Sequence, residues 1–279
     1  MAGIFHSLND IKSGPGIPKN APTKPRIIVF FDIFFRKFWH LVKLNMLFLV
    51  FNLPVIVGMP FISQFFLPML NKNGGSIGNS VYELAFYFAA SAIFVCIPIV
   101  TVGPVQAGFT YVLRNFAREE HAFLWGDFKE HALGNARQSI FICLIDLVVV
   151  LVIGMDINFY FGISRDNIFL TAMTFSIMLL LLLYLMMHMY IYPMLVTFRL
   201  SVKQIYKNAF IFSIIRFLPN LGILVLCFIL AAFPLLLFPT AGVLLFFLVT
   251  MSTIGLITNF YVYPILKKYM MDKIVIDRL

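Results

Sequence analysis

The chain has 279 residues, of which 61% are hydrophobic, 16% aromatic and only 12% charged. Soluble domains carry about 25% charged and about 45–50% apolar residues, so this composition excludes an ordinary soluble enzyme and indicates a polytopic membrane protein. A net charge of +9 would suit nucleic acid in a soluble protein, but here the placement of the charges along the loops accounts for it, and no nucleic-acid partner is expected.

Residues 1–26 are polar, with Gly14, Gly16, Pro18, Pro22 and Pro25 and no apolar h-region. They read as an irregular cytoplasmic arm rather than a signal peptide. Residues 27–43 set Asp32, Arg36, His40 and Lys43 at helical spacing on one side, with Ile28, Phe31, Phe34, Phe35, Phe38 and Trp39 on the others. This predicts an amphipathic helix in the inner interface, with Trp39 at headgroup depth. Such a helix anchors to lipid, or docks another subunit through Phe35 and Trp39.

A crossing needs about 20 residues. The first is expected near 41–59, followed by Pro54, Pro60 and Pro68 near its exit. Residues 61–70 are apolar but too short to cross, and should lie along the outer surface before the turn-rich loop 71–80. Further spans are expected near 81–102, 140–158, 168–192, 217–238 and 241–266. The predicted fold is all-α: a membrane domain over 41–266, six transmembrane helices in three hairpins, a folded cytoplasmic elbow over 103–139 and a cytoplasmic tail over 267–279. The link Phe238-Pro239-Thr240 forces the last two spans into a tight antiparallel hairpin.

Nineteen Lys and Arg fall on one set of alternate loops, and only Lys72 and Arg165 on the other. Both termini are therefore predicted to be cytoplasmic. Cys96, Cys143 and Cys227 lie in apolar runs and read as small buried hydrophobes. Spans two, four and six end near Pro104, Pro193 and Pro264, and the last two share a Tyr-x-Tyr-Pro motif at Tyr190 and Tyr261. Ser252, Thr253, Gly255, Thr258 and Asn259 form a small and polar stripe suited to close helix packing or to a substrate path.

The segment from Gly103 to Ser139 is the only long charged stretch between apolar runs, and reads as a water-exposed loop tied to the membrane at both ends. Residues 105–118 should continue span two as a helix. Asp127 to Glu130 has the form of a capping box, opening a short helix at Phe128 that stops at Gly134. Phe123, Leu124, Trp125 and Phe128 give the elbow an apolar, partner-docking side. His121 and His131 match no standard metal spacing and read as a solvated face. No metal or other cofactor is expected, and no phosphate-binding loop, serine elbow or metalloprotease motif occurs.

The stretches LVKLNMLFLVFNLPVI (41–56), GPVQAGFTYVLRNFAREE (103–120) and FLWGDFKEHALGN (123–135) together resemble the YesL-like family. These are bacterial integral membrane proteins of unknown function, found mainly in Gram-positive lineages and often encoded beside carbohydrate ABC importers and glycan-degrading enzymes. The resemblance implies a non-catalytic accessory or assembly subunit of such an importer in the cytoplasmic membrane, with lipids and permease subunits as partners. It supplies no catalytic residues.

Ionisable groups within the expected spans are few, and costly unless paired. Asp146 and His188 should lie at comparable depth and form a candidate intramembrane pair. They serve either structure or an independent small-solute transporter or channel. Glu83 and Asp156 should be interfacial. An intramembrane enzyme ranks last, and would need at least two of Asp146, His188 and Asn259 around one cavity.

Overall fold

The computed structural model describes residues 25–61, 102–163 and 168–271. The arm before residue 25, the outer segment 62–70, the loop 71–80, nearly all of the second expected span, Glu83, Cys96 and the last eight residues lie outside the described residues. Helices account for almost everything described, and no strand occurs among these residues.

Helix α1 runs unbroken over Arg26–Phe61. Its 36 residues would extend roughly 54 Å at a rise of about 1.5 Å each. The expected change from an interfacial helix to a separate span near residues 41–43 is therefore not a break. No Gly or Pro precedes Pro54 within the helix, so nothing in the backbone chemistry interrupts it. Helix α2 covers 102–117, α3 Leu124–Gly134 and α4 Ala136–Ile163. Helix α5 spans Ile168–Leu195, α6 Val202–Ile215 and α7 Phe217–Leu237. Helix α8 occupies Thr240–Met271, with π-turns at Phe246–Thr250 and Lys267–Met271.

Three described helices are long and apolar enough to cross a membrane: Ile168–Leu195, Phe217–Pro234 and Thr240–Met271. A fourth is reached only if α3 and the start of α4, bent by 70° at Asn135, count as one broken span. Outward-facing Phe175, Leu179, Leu180, Phe228 and Ile229 are exposed, as expected of helices that are apolar all round and meet lipid. This is a membrane protein. Only Phe238 and Pro239 separate α7 from α8, and Phe238 alone is non-helical, so their connection is as short as the sequence predicted.

Helix α2 overturns the reading of Gly103–Ser139 as a water-exposed loop. Val105, Ala107, Phe109, Val112, Leu113 and Phe116 are all buried. Ala107 joins a core of α5, α6 and the end of α8. Phe109, Val112 and Leu113 join a second core with Ile33, Leu41 and Leu44 of α1. Close approach explains two of its glycines. A Cβ on Gly103 would lie 2.5 Å from the Ser139 carbonyl oxygen, and one on Gly108 would meet the Phe128 carbonyl oxygen.

The capping box expected at Asp127 is also corrected. Helix α3 starts a turn earlier, with Phe123 at its N-cap. Asp127 Oδ2 instead accepts from the Phe123 backbone N–H at 2.9 Å. The observed capping box opens α6, where Ser201 and Gln204 cap each other. Helix α2 ends in a Schellman arrangement. The Glu120 N–H donates to the Asn115 carbonyl at 2.8 Å and the Glu119 N–H to Phe116 at 3.0 Å. Glu119 supplies the left-handed residue, at φ 59°.

Polar side chains tie the helices together where lipid offers no hydrogen bonds. Asn45 of α1 is fully buried against the first π-turn of α8. Its Nδ2 donates to the carbonyls of Phe246 at 3.1 Å and Phe247 at 2.6 Å, and its Oδ1 accepts from the Ser252 N–H at 2.9 Å. A wide π-turn leaves backbone groups without their usual partners, and Asn45 supplies replacements. Asn220 of α7 does comparable work. Its Oδ1 accepts from the hydroxyls of Tyr190 and Tyr261, and its Nδ2 donates to the Phe212 carbonyl at 3.1 Å.

Candidate functional site

Asp146 lies on α4, ten residues after Ala136, and His188 lies near the C-terminal end of α5. The two helices pack together and bring His188 Nε2 to 3.1 Å from Asp146 Oδ1. The expected pair is therefore formed. Two tyrosines unforeseen in the sequence complete it. Tyr184, one helical turn before His188 and on the same face, donates its hydroxyl to Asp146 Oδ1. Tyr206 of α6 donates to the same oxygen at 2.9 Å. Three helices thus converge on one carboxylate.

The cluster has a directional chemistry. A histidine donating from Nε2 to a carboxylate keeps Nδ1 as an acceptor in its neutral form. Tyr206 remains a donor, because burial, then the Asp146 charge, pushes its phenol well above the usual tyrosine range. The Asp146 carboxylate orients His188 and the tyrosines, and His188 carries that orientation to its other side.

His188 also lines a cavity of about 250 Å³ bounded by α1, α2, α5, α7 and α8. His188 and Asn259 both line it, with Gln106, Thr110 and Thr258. Two of the three groups named for a convergent site thus share one cavity, and the third is hydrogen-bonded to one of them. The stripe on α8 also packs, since a Cβ on Gly255 would strike Leu113 Cδ1 of α2. Its residues therefore combine close packing with a cavity wall.

The aromatic residues named for docking divide. Phe35 and Trp39 of α1 are each 71% exposed, and Phe123 and Trp125 are 70% and 55% exposed. Leu124 packs beside the core that contains Phe128. Phe128 is only 3% exposed and is no docking residue. It faces the core that holds Phe109 and Val112 of α2, and its ring stacks with Phe51 of α1 at 5.9 Å. Phe51 also stacks on Trp125 at 6.1 Å, so the elbow packs on α1 well inside the first expected span.

His131, read from the sequence as part of a solvated face, stacks instead on Tyr111 with ring centroids 3.3 Å apart. Burial holds its pKa below the usual histidine value; Arg114 adds to this, while Glu130 and Asp127 oppose it. Among the described residues no group of three or more His, Cys, Asp or Glu is placed to hold a metal. Neither Cys143 nor Cys227 is in a disulfide.

Sequence reasoning missed Tyr184, Tyr206 and Asn220. The spacing of four between Tyr184 and His188 was a legible signal. Tyr206 was concealed in a segment read only as a basic loop. Asn220 stands just after Pro219 in an otherwise apolar span, a polar outlier that should have been singled out.

Comparison with known proteins gives one relationship. Residues 41–157 match the family described as "Protein of unknown function, DUF624". No curated protein and no solved structure matches the chain. The matched segment contains α1 from Leu41, α2, α3 and Asp146, and YesL-like proteins belong to the same family. By that match, over less than half of its length, the chain is similar to the DUF624 family.

Proposed function

We propose that the protein is a six-span component of the bacterial cytoplasmic membrane, with both termini cytoplasmic, acting as a non-catalytic accessory or assembly subunit of a carbohydrate ABC importer. Helices α1, α4, α5, α7 and α8 supply five of the spans, and residues 81–102 the sixth. The observation that carries the docking role is the exposure of Phe35, Trp39, Phe123 and Trp125 on two helices outside the three that are individually long and apolar enough to cross. Aromatic side chains are enriched at protein interfaces, and the YesL-like resemblance points to permease subunits as their partner. The bland alternative is a belt of aromatics at headgroup depth. Affinity purification from native membranes in mild detergent separates the two. Stoichiometric permease subunits, reduced by Trp125→Ala or Trp39→Ala, support docking. Recovery of the protein alone removes it.

The cavity behind the Asp146–His188 pair favours a second reading, an independent small-solute transporter or channel. Reconstituted vesicles test it through Asp146→Asn, which keeps the shape and removes the charge. Abolished flux with an unchanged melting temperature supports that reading. Absence of flux in the native protein ends it.

A further inference from the structure

We propose that the groove between α1, α7 and α8 holds one anionic phospholipid, its phosphate on the Arg26 guanidinium and one acyl chain along the apolar walls. The inner leaflet as its source rests on the cytoplasmic termini proposed above. The binding itself does not, and it is measured without partner or flux.

The first observation is the shape. Helices α1 and α7 both pack on α8 and leave a groove of about 540 Å³ between them. Phe30 and Phe34 of α1 line one wall, Leu226 and Leu230 of α7 the other, and Thr253 and Ile257 of α8 the floor. The α7 wall runs from Ile223 to Leu230, roughly 10 Å at a rise of about 1.5 Å per residue.

The second observation is a cation fixed at one end. Pro264 has no backbone N–H, so the Phe260 carbonyl lacks its usual donor four residues on. Arg26 Nη2 supplies one at 2.8 Å, and the guanidinium lies 5.1 Å from the Phe260 ring centroid. Arg26 lines the groove and is exposed, and a guanidinium carries five N–H donors in all. Arg216 stands at the same end of α7. Its carbonyl accepts from the Asn220 N–H at 2.9 Å, and Asn220 Oδ1 accepts from the hydroxyl of Tyr261, another lining residue. No acidic residue lines the groove, so nothing within it competes for the positive end.

The two ends decide the ligand together. An acyl chain gains no hydrophobic energy on moving from bulk lipid into an apolar groove, so the walls alone select no headgroup. The arginine end favours a phosphate, and a zwitterionic headgroup brings an ammonium to the same place. A lipid with net negative charge therefore complements both walls and cation, whereas a free phosphate matches only the cation.

The test uses the purified full chain in detergent. Phosphatidylglycerol and phosphatidylcholine of the same acyl chains are the probes, and glycerol 3-phosphate is the headgroup without its chains. Native mass spectrometry and the melting temperature report binding. The expected result is saturable binding of phosphatidylglycerol, about fivefold tighter than phosphatidylcholine, the ratio equivalent to the ~1 kcal/mol of one basic residue near an anionic surface. Arg26→Gln should remove that preference. Ile257→Trp fills the floor with every charge in place. It should weaken phosphatidylglycerol at least fivefold, and it decides the matter if Arg26→Gln does not fold. Equal binding of the two lipids, phosphatidylglycerol binding unchanged in the folded variants, or equal competition by glycerol 3-phosphate overturns the proposal. So does a photo-crosslinker in place of Leu226 that captures protein rather than lipid in native membranes, since the groove then holds a polypeptide.

Discussion

Tyr190 and Tyr261, the opening residues of the two Tyr-x-Tyr-Pro motifs, donate to one oxygen, Asn220 Oδ1, at 2.6 and 2.7 Å. A repeated motif in the sequence is thus a shared anchor in space, joining α5 and α8 through α7. Single Tyr→Phe changes remove one donor each. Interhelical hydrogen bonds in membranes average about 0.6 kcal/mol and reach about 1.7, so each should cost under ~2 kcal/mol. Asn220→Leu deprives both phenols and the Phe212 carbonyl at once and should cost more than either. Unfolding in detergent measures the order, and equal losses from Tyr190→Phe and Asn220→Leu would contradict a shared anchor.

Two glycines predict different penalties for the same methyl group. At Gly108 the added carbon meets the Phe128 backbone carbonyl oxygen, whereas at Gly255 it meets the far end of the Leu113 side chain. A backbone must move as a helix, while a leucine can change rotamer. Overpacking typically costs about 1–3 kcal/mol. Gly108→Ala should fall at or above the top of that range and Gly255→Ala near the bottom. Melting temperatures of the two variants compare them directly.

Glu119 combines a backbone strain with a surface contact. Its positive φ disfavours an L side chain by roughly 1–2 kcal/mol. Its pairing with Arg36 at 2.7 Å, both side chains about half exposed, contributes only about 0.2–1 kcal/mol. Both Glu119→Ala and Glu119→Gly remove the pair, but only glycine removes the strain. The glycine variant should therefore be more stable than the alanine variant by about 1 kcal/mol, measured by chemical unfolding. Equal stability would show that the backbone there is not strained.

His131 gives the elbow a pH dependence with a definite sign. Its folded pKa lies below the ordinary histidine value, so the unfolded chain binds the proton more readily. The associated stability is fully present above about pH 6.5 and is lost as the pH falls through the folded pKa. Protonation also adds a second cation near Tyr111, whose ring already lies 4.4 Å from Arg114. Melting temperature should fall between pH 7.5 and 5, and His131→Phe should flatten that part of the curve. His40 is shifted the same way, first by burial and then by Lys37, Lys43 and His121, so some slope will remain.

The spans that were legible in the sequence are those where hydropathy alone decides. Expected ends at 168–192 and 217–238 became Ile168–Leu195 and Phe217–Leu237, because lipid rewards apolar length whatever the neighbours. The Asp146–His188 pair was legible for a related reason, since a lone intramembrane charge must find a partner. The helix over 105–118 was legible but its burial was not, because the charges of its segment were taken as exposure. Arg114 shows the error. Its guanidinium donates to the Val196 carbonyl at 2.7 Å and to Asn115 Oδ1 at 2.9 Å, so a basic residue closes the end of α5 from within the protein. Asn45 and Asn220 were likewise invisible in function, because their partners lie across the bundle.

The π-turn of α8 has a consequence for how the protein is made. Its carbonyls at Phe246 and Phe247 are completed by Asn45, a residue 201 positions earlier in the chain. During synthesis α1 is made with its amide side chain waiting, and α8 cannot settle into its final shape until it meets α1. Closure of the bundle is therefore deferred until α8 has been made, and a chain cut before α8 would carry an unquenched amide in α1. Such an intermediate is a natural signal for membrane quality control, distinguishing unfinished copies from finished ones.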